Sequence, residues 1–173
     1  HWSEKGTIWL YSDTHFGDRD LKRAFPDRPD DETHVGQINR KCGRKDTLIL
    51  LGDVGDIEIA KKLRGYKVLI CGNHDLGHTA YETVFDEVYS GPLFISPRIL
   101  LSHEPVNLPF AFNIHGHDHM NRERDPFHLN VCSDVIGYSP VNFNRLIKSG
   151  RLSAIPTIHR ITIDEAAARA NNQ

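Results

Sequence analysis

Cysteine is scarce, long hydrophobic runs are missing and neither sign of charge dominates; each of these shortages closes off a class of protein. The three cysteines, Cys42, Cys71 and Cys132, are isolated and odd in number. That argues against a disulfide framework and against a cysteine-type structural zinc site. Buried free thiols in a reducing compartment follow, with the cytoplasm as the default location. No apolar run approaches the roughly 18 residues that a membrane span needs, and no segment resembles a signal peptide. The chain opens at His1-Trp2-Ser3 without an initiator methionine, which leaves room for a processed leader or a tag scar. The net charge of -2 gives no global pull toward nucleic acid or anionic membrane, so any affinity for anions must be local. No repeat, low-complexity tract or linker divides the 173 residues, and 39% hydrophobic content suffices for one domain over 1–173 with its own core.

What is present is a series of short apolar runs alternating with helical patterns, an α/β arrangement. The runs Thr7–Tyr11, Thr47–Leu51, Tyr66–Cys71, Leu93–Ile95, Arg98–Leu101, Ala111–His115, His128–Cys132 and Ile158–Ile163 read as strands. Helices are expected over Asp31–Cys42, Ile57–Leu63, Thr79–Val88 and Asn142–Lys148, with an Ala-rich helix capped by Asp164 at the end.

Polar clusters stand where several of these runs stop: Asp13-Thr14-His15, Gly52-Asp53-Val54-Gly55-Asp56, Gly72-Asn73-His74-Asp75, Ser102-His103 and Asn113-Ile114-His115-Gly116-His117-Asp118-His119. In open α/β sheets, ligands gather where loops leave the carboxyl ends of strands. A glycine there allows a sharp turn and keeps backbone clear of a ligand. In an extended chain the period of two puts Asp13 and His15 on one side, a mixed oxygen and nitrogen chelate suited to borderline divalent ions. Asp53 at a buried strand tip needs partners, and its two oxygens could bridge two cations. Asp56 reads equally well as a helix N-cap. Asn73 offers a neutral oxygen, while His74 points the other way and suits proton donation, oriented by Asp75. His115, His117 and His119 share one side if the chain stays extended, and spacing does not say which two of them are ligands. The remaining histidines, His1, His34, His78, His128 and His159, have no such context. Two divalent ions against two carboxylates leave a net positive site, one that attracts an anion and activates water, which is the logic of phosphate ester hydrolysis.

The ordered set D-x-H, G-D-x-x-D, G-N-H-D, a lone strand-end His and G-H-x-H, running from Asp13 to His119, resembles the calcineurin-like metallophosphoesterase superfamily. The wider stretches Ser12–Gly17 and Asn130-Val131-Cys132-Ser133-Asp134 resemble a branch of small bacterial and phage predicted phosphoesterases. The resemblance implies a four-layer α/β/β/α sandwich with two mixed sheets and a site at the strand ends. It implies that Asp13, His15, Asp53 and His119 hold one metal, and that Asp53, Asn73, His103 and His117 hold the other. His115 then supports the ligands from behind, His74 is the catalytic histidine with Asp75 orienting it, and a hydroxide between the metals attacks phosphorus. Mixed donors admit Mn²⁺, Fe²⁺, Zn²⁺ and Ni²⁺, with Mn²⁺ favoured. Ser102 stands where the pattern usually has glycine. Cys71 and Asp75 stand where the superfamily's protein phosphatases carry Arg and Glu, which disfavours a phosphoprotein substrate.

Arg19, Lys22, Arg23 and Arg28 crowd the loop after His15, and Arg122 and Arg124 follow the last cluster. They could clamp a phosphate that does not react; the interspersed Asp18, Asp20, Asp27 and Glu123 make a solvated surface an equal reading. Short loops and no cap domain suit phosphodiesters or small phosphoesters. Two alternatives are a nuclease acting on single-stranded DNA or RNA, at which Phe16, Phe25 and Phe127 among the arginines hint, and a non-catalytic scaffold. Every expected ligand position is filled, against the scaffold.

Overall fold

Strands β1 (Ile8–Tyr11), β2 (Thr47–Leu50) and β3 (Tyr66–Ile70) pair in parallel, with Ile8 opposite Thr47 and Thr47 opposite Tyr66. This computed structural model describes residues 2–122, 125–156 and 158–171. A short strand β4 (Glu87–Tyr89) extends the sheet in parallel beyond β3, and β9 (Val141–Asn142) closes the other edge antiparallel to β1. A second sheet runs β5-β6-β7-β8 (Leu93–Ser96, Ile99–Leu101, Phe112–His115, His128–Asn130); its first pair is antiparallel and the others parallel. The protein is thus mixed α/β with two sheets of mixed orientation.

The alternation of side chains decides what lies between the layers. Ile8, Leu10, Ile49, Val68 and Ile70 from the first sheet meet Ile99, Leu101, Phe112 and Ile114 from the second. Each such side chain contributes about 1.5–3 kcal/mol on leaving water. The opposite face of the first sheet, with Tyr11, Leu48, Leu50 and Leu69, packs against helices α2 (Asp31–Lys41), α3 (Ile57–Ala60) and α4 (His78–Tyr81) through Ile38, Ala60 and Tyr81. The outward face of the second sheet is polar along β7 and β8. Asn113, His115, His128 and Asn130 are buried there under loops. The Asn113 carboxamide accepts from the Val106 N–H, and that of Asn130 donates to the carbonyls of Asp118 and Asn121. Loops held in this way stand where the four-layer expectation puts a helical layer.

Three expected elements differ. The Thr79–Val88 helix stops after one turn, because the carboxylate and N–H of Asp86 dock on the backbone of Lys67 and start β4. Val84 and Phe85 continue the helical spacing of Tyr81 yet face the core from beyond the helix. The Ile158–Ile163 strand is instead the start of helix α6 (Ile158–Asn171), into which the Ala-rich run propagates. Helix α1 (Arg19–Ala24) escapes sequence reading because it buries no residue; Asp18 caps it. Asn142 serves as the cap of α5 (Phe143–Lys148) rather than its first residue, and Asp56 caps α3 as the sequence suggests. Among the described residues no helix is long and apolar enough to cross a membrane.

Candidate metal centre

Six strand ends converge, and the two sheets are joined at that point by a bridge between Ser12 and Cys132. Five non-glycine residues among those described have a left-handed backbone: Asp13 (φ 58°), His15 (43°), Asp53 (52°), His117 (67°) and Tyr138 (56°). Such conformations cost about 1–3 kcal/mol each and persist only where the surroundings enforce them, chiefly at functional sites. Four of the five are expected metal ligands. The convergence of Asp13 with His15 therefore arises from kinks, not from the period of two in an extended chain; the same holds for His117, which turns away from the line of β7.

Two glycines make room for this. At Gly52 (φ 87°) a Cβ would lie 2.5 Å from His103 Nδ1 and 2.7 Å from Gly72. At Gly116 it would lie 2.0 Å from Ser12 Oγ and 2.3 Å from an Asp13 oxygen.

Asp13, His15 and His119 form one group of possible ligands, with His15 Nε2 3.9 Å and His119 Nε2 3.7 Å from Asp13 Oδ1. Asp13 Oδ1 and His15 Nε2 are buried and have no hydrogen-bond partner. Orphaned buried polar atoms are expensive, and a cation held between an oxygen and an imidazole nitrogen would satisfy both. Burial pushes the His15 imidazole toward its neutral, lone-pair-bearing form, against the attraction of Asp53 and Asp13.

The second group is Asp53, His103 and His117, with Asn73 Oδ1 within hydrogen-bond distance of both histidines. His103 Nδ1–H donates to the Leu51 carbonyl at 2.8 Å, which leaves Nε2 facing Asn73 Oδ1 at 2.9 Å and His117 Nδ1 at 3.1 Å. Asp53 stands between the groups. Its Oδ2 is 3.4 Å from His15 Nε2 and 3.3 Å from His103 Nε2, while Oδ1 accepts the His74 N–H. Burial opposes ionisation of Asp53, yet the hydrogen bond and charge of His103 hold its carboxyl down at about 2. Burial likewise opposes protonation of His103, and Asp53 with Asp13 raise it to about 9. A pocket that draws a proton so strongly is built for positive charge.

The expected supporting roles divide. His74 is exposed, with its ring 5.8 Å from that of His15. Asp75 does not orient it: the Asp75 carboxylate accepts from the N–H groups of Gly72, Asp53 and Val54 and from the Tyr81 hydroxyl, which fills its lone pairs. It fixes the loops instead. His115 lies on the outward face of the second sheet, its ring 5.8 Å from His128 and its Nδ1 2.8 Å from the Gly116 carbonyl. Arg28 is no free clamp. It is buried, paired with Asp134, and donates to the carbonyls of Asp13 and Thr14. Arg19 and Lys22 line a hollow of about 450 Å³ beside His15, in company with Asp18, Asp30, Asp31 and Asp56. Arg122 is exposed and borders a different hollow, with Leu129 and Val135; Arg124 lies outside the described residues.

Sequence reasoning gave no role to Asp134. Its Oδ2 is 2.7 Å from His119 Nδ1, and its Oδ1 accepts from Tyr138. Burial opposes its ionisation, but the His119 hydrogen bond and the Arg28 charge hold it at about 2. The available signal was its place: it follows β8 as the other clusters follow their strands.

No family model and no curated protein matches the chain. The fold is similar to that of AQ665 from Aquifex aeolicus, a protein of unknown function, at TM-score 0.69 and 25% identity, over 82% of this chain and 98% of that one. A nuclease MPE from Pseudomonas putida aligns at TM-score 0.49 and 22% identity, over 65% of this chain and 61% of the nuclease.

Proposed function

We propose that the protein is a dinuclear metal-dependent phosphoesterase of the calcineurin-like type, acting on small phosphodiesters or other small phosphoesters. The observation that carries this is the place of Asp53: one carboxylate oxygen at matched distance from His15 and His103, between two ligand groups, the first of which contains orphaned buried polar atoms. Asp13, His15, Asp53 and His119 would hold one ion; Asp53, Asn73, His103 and His117 would hold the other. Divalent ions bound there supply Lewis acidity and lower the pKa of water. Among this chain's own groups, the exposed His74 imidazole beside His15 stabilises or protonates the leaving oxygen. Asp13 and Asp53 bring two negative charges, so the loaded centre is net positive and binds a phosphoryl group. The superfamily's four-layer sandwich belongs to this reading, with one helical layer and both sheets as its described parts.

The rim favours a small substrate. Asp18, Asp30, Asp31 and Asp56 outnumber Arg19, Lys22 and Arg28 around the hollow beside His15, and Arg28 is already paired with Asp134; a polyanion would meet repulsion there. Protein reconstituted with Mn²⁺ is expected to cleave bis(p-nitrophenyl) phosphate and to lose that activity with EDTA. A Mn²⁺-loaded protein inert toward monoesters, diesters, cyclic nucleotides and dinucleotide polyphosphates alike would sink the proposal.

A further inference from the structure

His119, Cys132 and Asp134 form a third group with metal-ligand spacing, overlapping the first at His119. Two readings are open to it: a third cation site, or a support that determines how His119 presents itself to the first. The charges decide. Asp134 Oδ2 already receives the Arg28 guanidinium and His119 Nδ1, and Oδ1 receives the Tyr138 hydroxyl. A cation at that oxygen would sit against the fixed positive charge of Arg28, which is already paired with it inside the protein, where like charges repel far more strongly than in water. The group is a support.

A carboxylate only accepts, so the contact at 2.7 Å requires the proton on Nδ1 of His119. Nε2 is then the bare nitrogen whenever the ring is neutral, and Nε2 is the atom that faces Asp13. Arg28 ties the same carboxylate to the kinked turn of the first group, because its guanidinium also binds the Asp13 and Thr14 carbonyls. Ser133, next to Asp134, donates to the Asp13 carbonyl at 2.8 Å. Side chains from the loop after α1 and from the end of β8 therefore hold both sides of one ligand group.

We infer that Asp134, anchored by Arg28 and Tyr138, is a positioning residue that fixes His119 as an Nε2 ligand of the Asp13–His15 metal, and that Asp134 and Cys132 hold no third ion. This rests on the two-metal reading above and concerns only one of its halves.

The test is a calorimetric Mn²⁺ titration of the wild type and of Asp134→Asn, together with long-range ¹H–¹⁵N spectra of the histidine rings in the Zn²⁺-loaded wild type. Two Mn²⁺ ions should bind the wild type. In Asp134→Asn one of them should weaken by about 10–100-fold while the other is unchanged, the usual scale for a lost partner behind a metal-bound histidine. The spectra should show the proton on Nδ1 of His119. A general loss of packing would weaken both ions, so a one-sided loss is what a merely structural role cannot produce. Should Asp134→Asn fail to fold around the unpaired Arg28, the double variant Arg28→Gln/Asp134→Asn removes both charges and is read in the same way. Equal effects on both ions, no effect on either, or a proton on Nε2 of His119 would overturn the inference and leave the two-metal reading standing. A third Mn²⁺ lost in Cys132→Ala would overturn it in favour of the third site. A wild type that binds no Mn²⁺ would overturn both.

Discussion

The Asp13–His15–His119 half of the centre is closed from behind, whereas the His103–His117–Asn73 half opens to solvent. Asp13 is fully buried, and its backbone is tied down by Arg28 and Ser133. Behind them Tyr138 and His34 continue a packed aromatic wall, with ring centroids 5.7 Å apart. In the other half Asn73 and His117 are exposed, and its one buried imidazole is His103, pinned to the Leu51 carbonyl at 4% exposure. One half is organised by a charged network and the other by a strand-end carbonyl. The first should therefore resist repositioning and respond to changes far behind it, while the second should tolerate exchange of its ligands.

Removing what the halves share should cost most. Asp53→Asn takes away the charge that faces both, and phosphodiesterase activity should fall by at least about 10³-fold, or ~4 kcal/mol in the barrier. Steady-state kinetics with Mn²⁺ measure this, and normal activity in the Asp53→Asn variant would mean that the halves do not share a carboxylate.

Next comes acid, which should attack the closed half from behind. His34 is buried and shares a hydrogen bond of 2.6 Å with the Tyr11 hydroxyl; burial, then the Arg28 charge, lower it from 6.5 to about 3. Between those values the unfolded chain takes up a proton that the folded chain refuses, so stability is lost as pH falls through that window. By about pH 4.5 the loss should be about 2–3 kcal/mol. Asp53 and Asp134, held at about 2, give stability that is intact above 3.8 and cannot account for a loss nearer neutrality. Melting temperatures against pH test this; His34→Gln should flatten the slope between about pH 6.5 and 4.5.

Gly116→Ala should cost about 1–3 kcal/mol, since its Cβ would collide with Ser12 Oγ and Asp13. The damage falls on the closed half, so Mn²⁺ affinity there should drop with stability in a denaturant titration. Arg19→Ala should do least. Arg19 is exposed at the start of α1, and stability should change by less than about 0.5 kcal/mol. Any effect should be confined to KM.

How much of this was legible follows the same division. The strands flanking the open half announced themselves as apolar runs stopped by Gly52, Gly72 or Ser102, and the ligand types at their ends were readable from spacing. The mechanism of convergence was not. A period of two suggested that Asp13 and His15 line up along an extended chain, but left-handed kinks bring them together, and side-chain alternation cannot foretell a φ of 58°. Arg28 and Asp134 lie 106 positions apart. Nothing local distinguishes Arg28 from the exposed Arg19 and Arg23 beside it, so it read as a free cation. Asp75 misled for a related reason: adjacency to His74 suggested a partner, whereas the fold commits the carboxylate to three backbone N–H groups and Tyr81. Short elements such as α1 and β4 were hidden because their form depends on a cap or on a neighbouring strand rather than on an apolar period.

The most direct test of the central claim is an anomalous difference map from crystals soaked in Mn²⁺. The account predicts two peaks on either side of Asp53, one against Asp13, His15 and His119 and one against Asn73, His103 and His117. A single peak, or a pair that does not share Asp53, would contradict it.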